Sequence, residues 1–140
     1  MASDMQHLGK CLCGAVSVTI NVQDNHISAC HCSICRRWGG GPFLAIESIL
    51  DIRFTGDEYI TTFSSSEWAE RGFCKQCGTH LFYRLKQAEH YAIPVGLLEG
   101  SDWVFAEQIF IDHKPEFYIF ANDTHMLTEQ EVFAQHANKS

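Results

Sequence analysis

The chain has 140 residues, of which 46 % are hydrophobic and 19 % are charged, and its formal net charge is −7 at pH 7. This length and composition are typical of one globular domain, and no apolar run of about 18 residues is available to span a bilayer. The acidic charge argues against binding to a phosphate backbone, which requires clustered Lys and Arg. The sequence therefore predicts a single domain over residues 1–140 that binds neither nucleic acid nor membrane.

Residues 1–7 contain no basic region followed by an apolar one, so no secretory signal is readable there. We therefore expect a cytoplasmic protein. A reducing compartment keeps thiols available for metal, and an odd count of seven cysteines fits a disulfide framework badly.

Strand-forming patterns account for most of the chain. Residues 15–22 alternate between apolar side chains and small or polar ones, which is typical of a half-buried strand. Turn residues separate this segment from further β-prone runs. These runs lie at residues 27–31, 43–47, 51–54, 58–63, 68–73, 80–85, 91–97 and 105–111.

Two helical segments are predicted. Residues 33–38 form one helical turn that ends at the glycines before Pro42. Near the C-terminus, Thr128 and Glu131 match a capping box, with Thr128 as the N-cap and Glu131 at the third helical position. The fold class expected from these patterns is a mainly β, mainly antiparallel domain with a short C-terminal helix.

All seven cysteines fall in three short motifs with spacings typical of metal ligands. The motifs are Cys11-Leu12-Cys13, Cys30-His31-Cys32-Ser33-Ile34-Cys35 and Cys74-Lys75-Gln76-Cys77. Gly14 and Gly78 directly follow the first and last motifs, where a residue without a Cβ permits a tight turn, as in a zinc knuckle. For the first pair, two unrelated buried cysteines are the alternative interpretation.

The number of thiols suggests two metal sites of different kinds. A structural zinc takes four protein ligands, whereas a catalytic zinc takes three and leaves one position open. His31 would be an eighth ligand and would close both sites, which would give a non-catalytic, zinc-stabilised binding module. In an extended segment His31 faces away from the side shared by Cys30 and Cys32, although a loop can escape this alternation.

A zinc ion at Cys30, Cys32 and Cys35 would favour thiol chemistry over hydrolysis. Three thiolates leave the site with a net charge of about −1, which makes the zinc a weaker Lewis acid toward water than zinc bound by imidazoles. A soft, electron-rich site suits a fourth sulfur ligand. Binding would lower the pKa of an incoming thiol.

The order of the motifs closely resembles the family of glutathione-dependent formaldehyde-activating enzymes and centromere protein V. The resemblance runs from about residue 9 to residue 120 and rests on Cys11-x-Cys13-Gly14, Cys30-His31-Cys32-x-x-Cys35-Arg36 and Phe73-Cys74-x-x-Cys77-Gly78-Thr79. It implies an Mss4-like, zinc-containing β-sheet domain. It also implies a structural zinc at Cys11, Cys13, Cys74 and Cys77 and a catalytic zinc at Cys30, Cys32 and Cys35.

The same resemblance implies an activity. The family's named reaction joins formaldehyde to glutathione, so we expect a zinc-dependent carbon–sulfur lyase that resembles S-(hydroxymethyl)glutathione synthase and uses a small thiol and an aldehyde. Arg36 and Arg37 follow the three-thiol motif and are candidates to bind a substrate carboxylate, with a solvated surface role as the alternative. The centromere branch of the family suggests the non-catalytic binding module instead.

Overall fold

The computed structural model describes residues 5–100 and 102–138. Within these residues the strands are β1 (Gln6–Lys10), β2 (Ser17–Val22), β3 (His26–Cys30), β4 (Phe43–Ile46), β5 (Ile49–Thr55), β6 (Ile60–Ser64), β7 (Ala69–Cys74), β8 (His80–Leu85), β9 (His90–Pro94), β10 (Val104–Ile109) and β11 (His125–Leu127). The α-helices are α1 (Ser33–Gly39) and α2 (Glu129–Asn138). The predicted fold class, mainly β with a short C-terminal helix, is confirmed. No helix in the described part of the chain is long and apolar enough to cross a membrane.

The chain divides into two compact units that alternate along the sequence. The first unit comprises the chain up to Asn25 together with Ala45–Trp103, and the second comprises His26–Leu44 together with the chain from Val104 onward. The expectation of one domain over residues 1–140 stays a prediction. The division matters for function because each unit contains one of the two groups of cysteines.

A three-stranded antiparallel sheet in the first unit has the order β1-β2-β5. The predicted alternation in β2 is confirmed, since Val18, Ile20 and Val22 are buried and the residues between them are half-buried. Strand β1 was not predicted, because its sequence shows no apolar alternation. It lies at the edge of the sheet and is held by pairing of its backbone with β2.

The first unit also contains the antiparallel run β9-β8-β7-β6. The apolar core of this run includes Leu81 and Ile93, which are almost fully buried. Phe54, Phe82 and Tyr91 form an aromatic cluster with ring centroids 5.4 to 6.2 Å apart. The strand predicted for residues 91–97 ends earlier, at Pro94, and a 3-10 helix covers Val95–Leu97.

The second unit differs from the antiparallel expectation. Strand β10 pairs in parallel with both β3 and β11. The predicted, mainly antiparallel pairing holds for the other strand pairs. The two parallel pairs were not foreseen, because apolar alternation within a strand does not indicate the direction of its neighbours. Strand β11 has only three residues and was not predicted.

The predicted capping box at the start of α2 is confirmed. The backbone N–H of Thr128 donates to Glu131 Oε1 over 2.8 Å, and the backbone N–H of Glu131 donates to Thr128 Oγ1 over 3.3 Å. Two N–H groups without partners inside the helix are satisfied in this way, which fixes where α2 begins.

Gly56→Ala is expected to lower the free energy of unfolding by about 3 kcal/mol. Gly56 has a φ of +87°, and a Cβ added there would lie 2.0 Å from the carbonyl oxygen of Ala15. That oxygen belongs to the backbone, so it cannot move without distorting the sheet. Urea denaturation followed by circular dichroism would measure the loss.

Gly40→Ala is the matched control. Gly40 has the same φ of +87°, but no atom lies within 4 Å of its added Cβ. This variant should therefore show only the cost of the left-handed conformation, about 1 kcal/mol. Equal losses in the two variants would contradict the steric argument for Gly56.

Candidate metal centres

The first candidate centre brings together the four cysteines of the first unit. The Sγ atoms of Cys11, Cys13, Cys74 and Cys77 all lie within 4.8 Å of one another. The Cys11 and Cys13 sulfurs are 3.6 Å apart, and the Cys13 and Cys74 sulfurs are 3.7 Å apart. Zinc–sulfur bonds of about 2.3 Å at tetrahedral angles place sulfurs about 3.8 Å apart, whereas a disulfide requires about 2.05 Å. The spacing of this four-thiol cluster therefore fits a tetrahedral metal and no disulfide.

Strand ends and tight turns position the four thiols. Cys11 follows β1 and Cys74 is the last residue of β7, while Cys77 lies in the turn before β8. One hydrogen bond closes each of the two turns. The backbone N–H of Gly14 donates to the carbonyl oxygen of Cys11, and the backbone N–H of Gly78 donates to the carbonyl oxygen of Cys74. Both glycines have a φ near +80°, at +82° and +79°, which confirms the predicted turns.

The Thr79 hydroxyl links the two halves of the four-thiol cluster. Thr79 Oγ1 accepts a hydrogen bond from the Leu12 backbone N–H over 3.1 Å and lies 3.1 Å from Cys77 Sγ, to which it can donate its own proton. This hydrogen bond is the main reason that the pKa of Cys77 falls to about 5. A thiolate is the form that binds metal, so Thr79 prepares Cys77 as a ligand.

Thr79→Val is expected to weaken zinc binding at the four-thiol cluster by about tenfold or more, because loss of an outer-shell partner commonly costs 10–100-fold in metal affinity. The affinity would be measured by chelator competition in a Cys35→Ser background, so that only zinc bound by the four-thiol cluster contributes to the signal. Thr62→Val, on an exposed position of β6, is the control and should leave the affinity unchanged. Equal affinities in all three proteins would show that Thr79 does not support the cluster.

The second candidate centre lies in the second unit. Cys30, Cys32 and Cys35 have sulfurs within 4.8 Å of one another. Cys30 ends β3, Cys32 is the N-cap of α1, and Cys35 lies in the first turn of that helix. The backbone N–H of Cys35 donates to Cys32 Sγ over 3.3 Å. The predicted helical turn is thus present and returns Cys35 to the other two thiols.

The pKa values of Cys30 and Cys32 shift in opposite directions. Hydrogen bonding from Cys30 lowers the pKa of Cys32, and the same contact raises the pKa of Cys30. Cys30 and Cys35 are buried, whereas Cys32 is partly exposed. Three sulfurs held so close together form a donor set suited to a soft cation such as zinc.

His31 lies between two of these cysteines but directs its ring elsewhere. The ring is fully buried, with 0 % of the residue exposed. Its Nε2 donates to Gln108 Oε1 over 2.8 Å, and its Nδ1 accepts from the Tyr118 hydroxyl over 2.7 Å. Burial lowers the pKa of His31, which is consistent with a neutral ring. Both nitrogens are engaged, so this conformation does not favour His31 as the eighth metal ligand.

The two arginines after the cluster occupy different environments. Arg36 is partly buried, and its Nε donates to the His31 carbonyl oxygen over 2.9 Å. Arg37 is exposed in the last turn of α1. Binding of a substrate carboxylate by either residue stays a prediction.

A third group of ligand-type side chains was not predicted. Asp112, His113 and Glu129 offer ligand atoms within 4.8 Å of one another. Their contacts have a structural explanation, because His113 Nε2 lies 3.0 Å from Glu129 Oε1 and the Glu129 backbone N–H donates to Asp112 Oδ1 over 3.0 Å. These bonds hold the start of α2.

Comparisons with known proteins identify a matching family model and several similar sequences. The sequence model of the family described as "Glutathione-dependent formaldehyde-activating enzyme" matches residues 6–120. A protein named an uncharacterized lyase, from Schizosaccharomyces pombe, is 36 % identical over 129 residues, which cover 91 % of this chain and 94 % of that protein.

Two further similarities extend this result. A Podospora anserina protein named "Putative glutathione-dependent formaldehyde-activating enzyme" is 32 % identical over 106 residues, which cover 70 % of this chain and 45 % of that protein. The chain thus spans about half the length of this longer relative. A crystal structure of a Rhodobacter sphaeroides protein superimposes with a TM-score of 0.58 at 32 % identity, covering 68 % of this chain and 90 % of that one.

Proposed function

Because the chain belongs to the family of glutathione-dependent formaldehyde-activating enzymes, we propose that it is a zinc-dependent carbon–sulfur lyase that acts on a small thiol adduct similar to S-(hydroxymethyl)glutathione. The similarity to a protein named a lyase supports an enzyme. In this proposal Cys11, Cys13, Cys74 and Cys77 hold a structural zinc, and Cys30, Cys32 and Cys35 hold a catalytic one.

The observation that carries the proposal is the difference between the two clusters. The first offers four sulfurs, which complete a tetrahedron, whereas the second offers three. The nearest candidate for a fourth ligand, His31, has both ring nitrogens in hydrogen bonds. A metal bound by the three-thiol cluster would therefore keep one position for a ligand from solution.

The chemistry follows from the donor set. A zinc ion held by three thiolates would bind the sulfur of an incoming thiol and lower its pKa, which would supply a thiolate at neutral pH. In the overall reaction, a bond forms between the thiol sulfur and the carbon of formaldehyde, the C=O double bond becomes a single bond, and the thiol proton ends on the oxygen. The lyase direction reverses these changes.

The chain's own residues would contribute orientation and charge. The first turn of α1 fixes Cys32 and Cys35 through the backbone hydrogen bond between them. Arg37 is exposed just after the cluster, where its guanidinium could pair with a carboxylate of glutathione. Arg36 is in part committed to the His31 carbonyl oxygen, so Arg37 is the better candidate for this contact.

The test is the zinc content per chain, measured by elemental analysis before and after dialysis against excess glutathione. We expect two zinc ions that fall toward one, or two zinc ions with glutathione retained by the protein. The Cys35→Ser variant is the control and should hold one zinc and retain no glutathione. Two zinc ions in the unaltered chain, with no loss and no retained thiol, would indicate closed sites and contradict the proposal.

The reaction itself can be followed by exchange NMR. The protein should increase the rate at which formaldehyde exchanges between its free form and its glutathione adduct, in proportion to protein concentration. An unchanged exchange rate with a zinc-loaded chain would count against formaldehyde and glutathione as the substrates.

A further inference from the structure

A chain of hydrogen bonds leads from β10 to the residue between two of the three thiols. Gln108 Nε2 donates to Thr124 Oγ1 over 2.9 Å, which orients the amide so that Gln108 Oε1 accepts from His31 Nε2. On the other side of the ring, Tyr118 donates to His31 Nδ1. Gln108 is only 1 % exposed and His31 is 0 % exposed, so water does not compete for the hydrogen bond between these two residues.

The backbone of His31 is held as firmly as its ring. Its N–H donates to the Ile109 carbonyl oxygen over 3.1 Å, and its carbonyl oxygen accepts from Arg36 Nε over 2.9 Å. All four polar groups of this residue therefore have partners. A residue fixed at four points leaves little freedom to the residues joined to it, which are Cys30 and Cys32.

We propose that Gln108 and Tyr118 are positioning residues that act through His31: by fixing that residue, they hold Cys30 and Cys32 at the spacing a metal requires. This inference rests on the proposed function, because it takes the three-thiol cluster to be a metal site. It extends that function by stating which residues arrange the thiols.

The physical reason is that metal affinity depends on how well the ligands are arranged before the metal binds. Outer-shell partners of metal ligands typically contribute 10–100-fold to affinity. The ring of His31 also packs against Tyr118, at 5.5 Å between centroids, and against Phe120, at 6.0 Å. Removing a hydrogen-bond partner would leave a buried nitrogen unsatisfied and loosen the residue that joins Cys30 to Cys32.

The test compares zinc release from the unaltered chain and five variants of it, mixed with a chromogenic chelator in a stopped-flow instrument. The phase of zinc release that is absent in Cys35→Ser is assigned to the zinc of the three-thiol cluster. Gln108→Leu and Tyr118→Phe should accelerate this phase by about 10–100-fold. Gln108→Glu keeps an acceptor for His31 Nε2 and should release zinc at a rate close to that of the unaltered chain.

Tyr91→Phe is the matched control, since it removes a tyrosine hydroxyl from the first unit. It should leave the phase unchanged, and the zinc of the four-thiol cluster should leave at the same rate in every variant. Replacement of zinc by cobalt gives a second readout. The ligand-field bands should shift in Tyr118→Phe, while the thiolate-to-cobalt absorption keeps its intensity because all three sulfurs still bind.

Two results would overturn the inference. Unchanged or slower release in Tyr118→Phe would show that the network does not position the thiols, and this variant decides the matter alone if Gln108→Leu does not fold. If Cys35→Ser removes no release phase that the unaltered chain shows, both the inference and the proposed metal site are overturned. The first result leaves the proposed function standing, so the two failures are distinguishable.

Discussion

Cys35→Ser should abolish the proposed lyase activity while the fold and one zinc ion remain. Cys35 is 4 % exposed and contributes one of only three sulfurs to its cluster. A serine has nearly the same shape, but its hydroxyl is a much poorer ligand for a soft metal site. Loss of an outer-shell partner alone costs about 10–100-fold, so we expect the loss of a ligand to reduce the rate by more than about 100-fold. Exchange NMR would measure the rate, and elemental analysis the zinc.

Ser33→Ala provides the comparison for this variant. Ser33 lies between the same thiols in sequence but is exposed at the start of α1, so its removal should leave activity and zinc content intact. Activity retained in Cys35→Ser would contradict the assignment of the catalytic thiols. Loss of both zinc ions in that variant would contradict the independence of the two clusters.

Cys74→Ser should have a different result, because it should destabilise the protein. Cys74 is fully buried at the end of β7, where it pairs with Ile60 of β6. A closed metal site couples its binding free energy to folding, so three remaining sulfurs cannot support the turns around them. We expect the melting temperature to fall by more than about 10 °C.

Thermal unfolding in the presence and absence of a strong chelator would test this expectation. The chelator should lower the melting temperature of the unaltered chain toward that of Cys74→Ser and should have little further effect on the variant. If the variant and the unaltered chain melted together, the four-thiol cluster would have no role in stability.

The sequence was informative wherever structure is determined locally. Strand β8 has the bounds that were predicted for it, and the capping box of α2 needs only residues three positions apart. The three-thiol cluster also lies within six residues, so its spacing could be read directly. Strands β1 and β11 were not predicted from the sequence, because their side chains carry no apolar alternation.

Contacts between distant residues could not be predicted in this way. Spacing gave no reason to place Cys13 beside Cys74, which is 61 residues later, and only the family resemblance paired the two motifs. The partners of His31 are 77 and 87 residues away and have no motif of their own. Strand alternation did suggest that His31 faces away from the thiols, but the groups that hold it there required the structure.

The position of these partners along the chain has a consequence for biosynthesis. The thiols at residues 30–35 leave the ribosome well before Gln108 and Tyr118, which lie 77 and 87 residues beyond His31. At translation rates of about 5–20 residues per second, several seconds separate the two events. During that interval His31 has neither of its side-chain partners, so the residue between Cys30 and Cys32 is not yet held in place. We therefore expect the three-thiol cluster to acquire its final geometry only after β10 and Tyr118 have been synthesised.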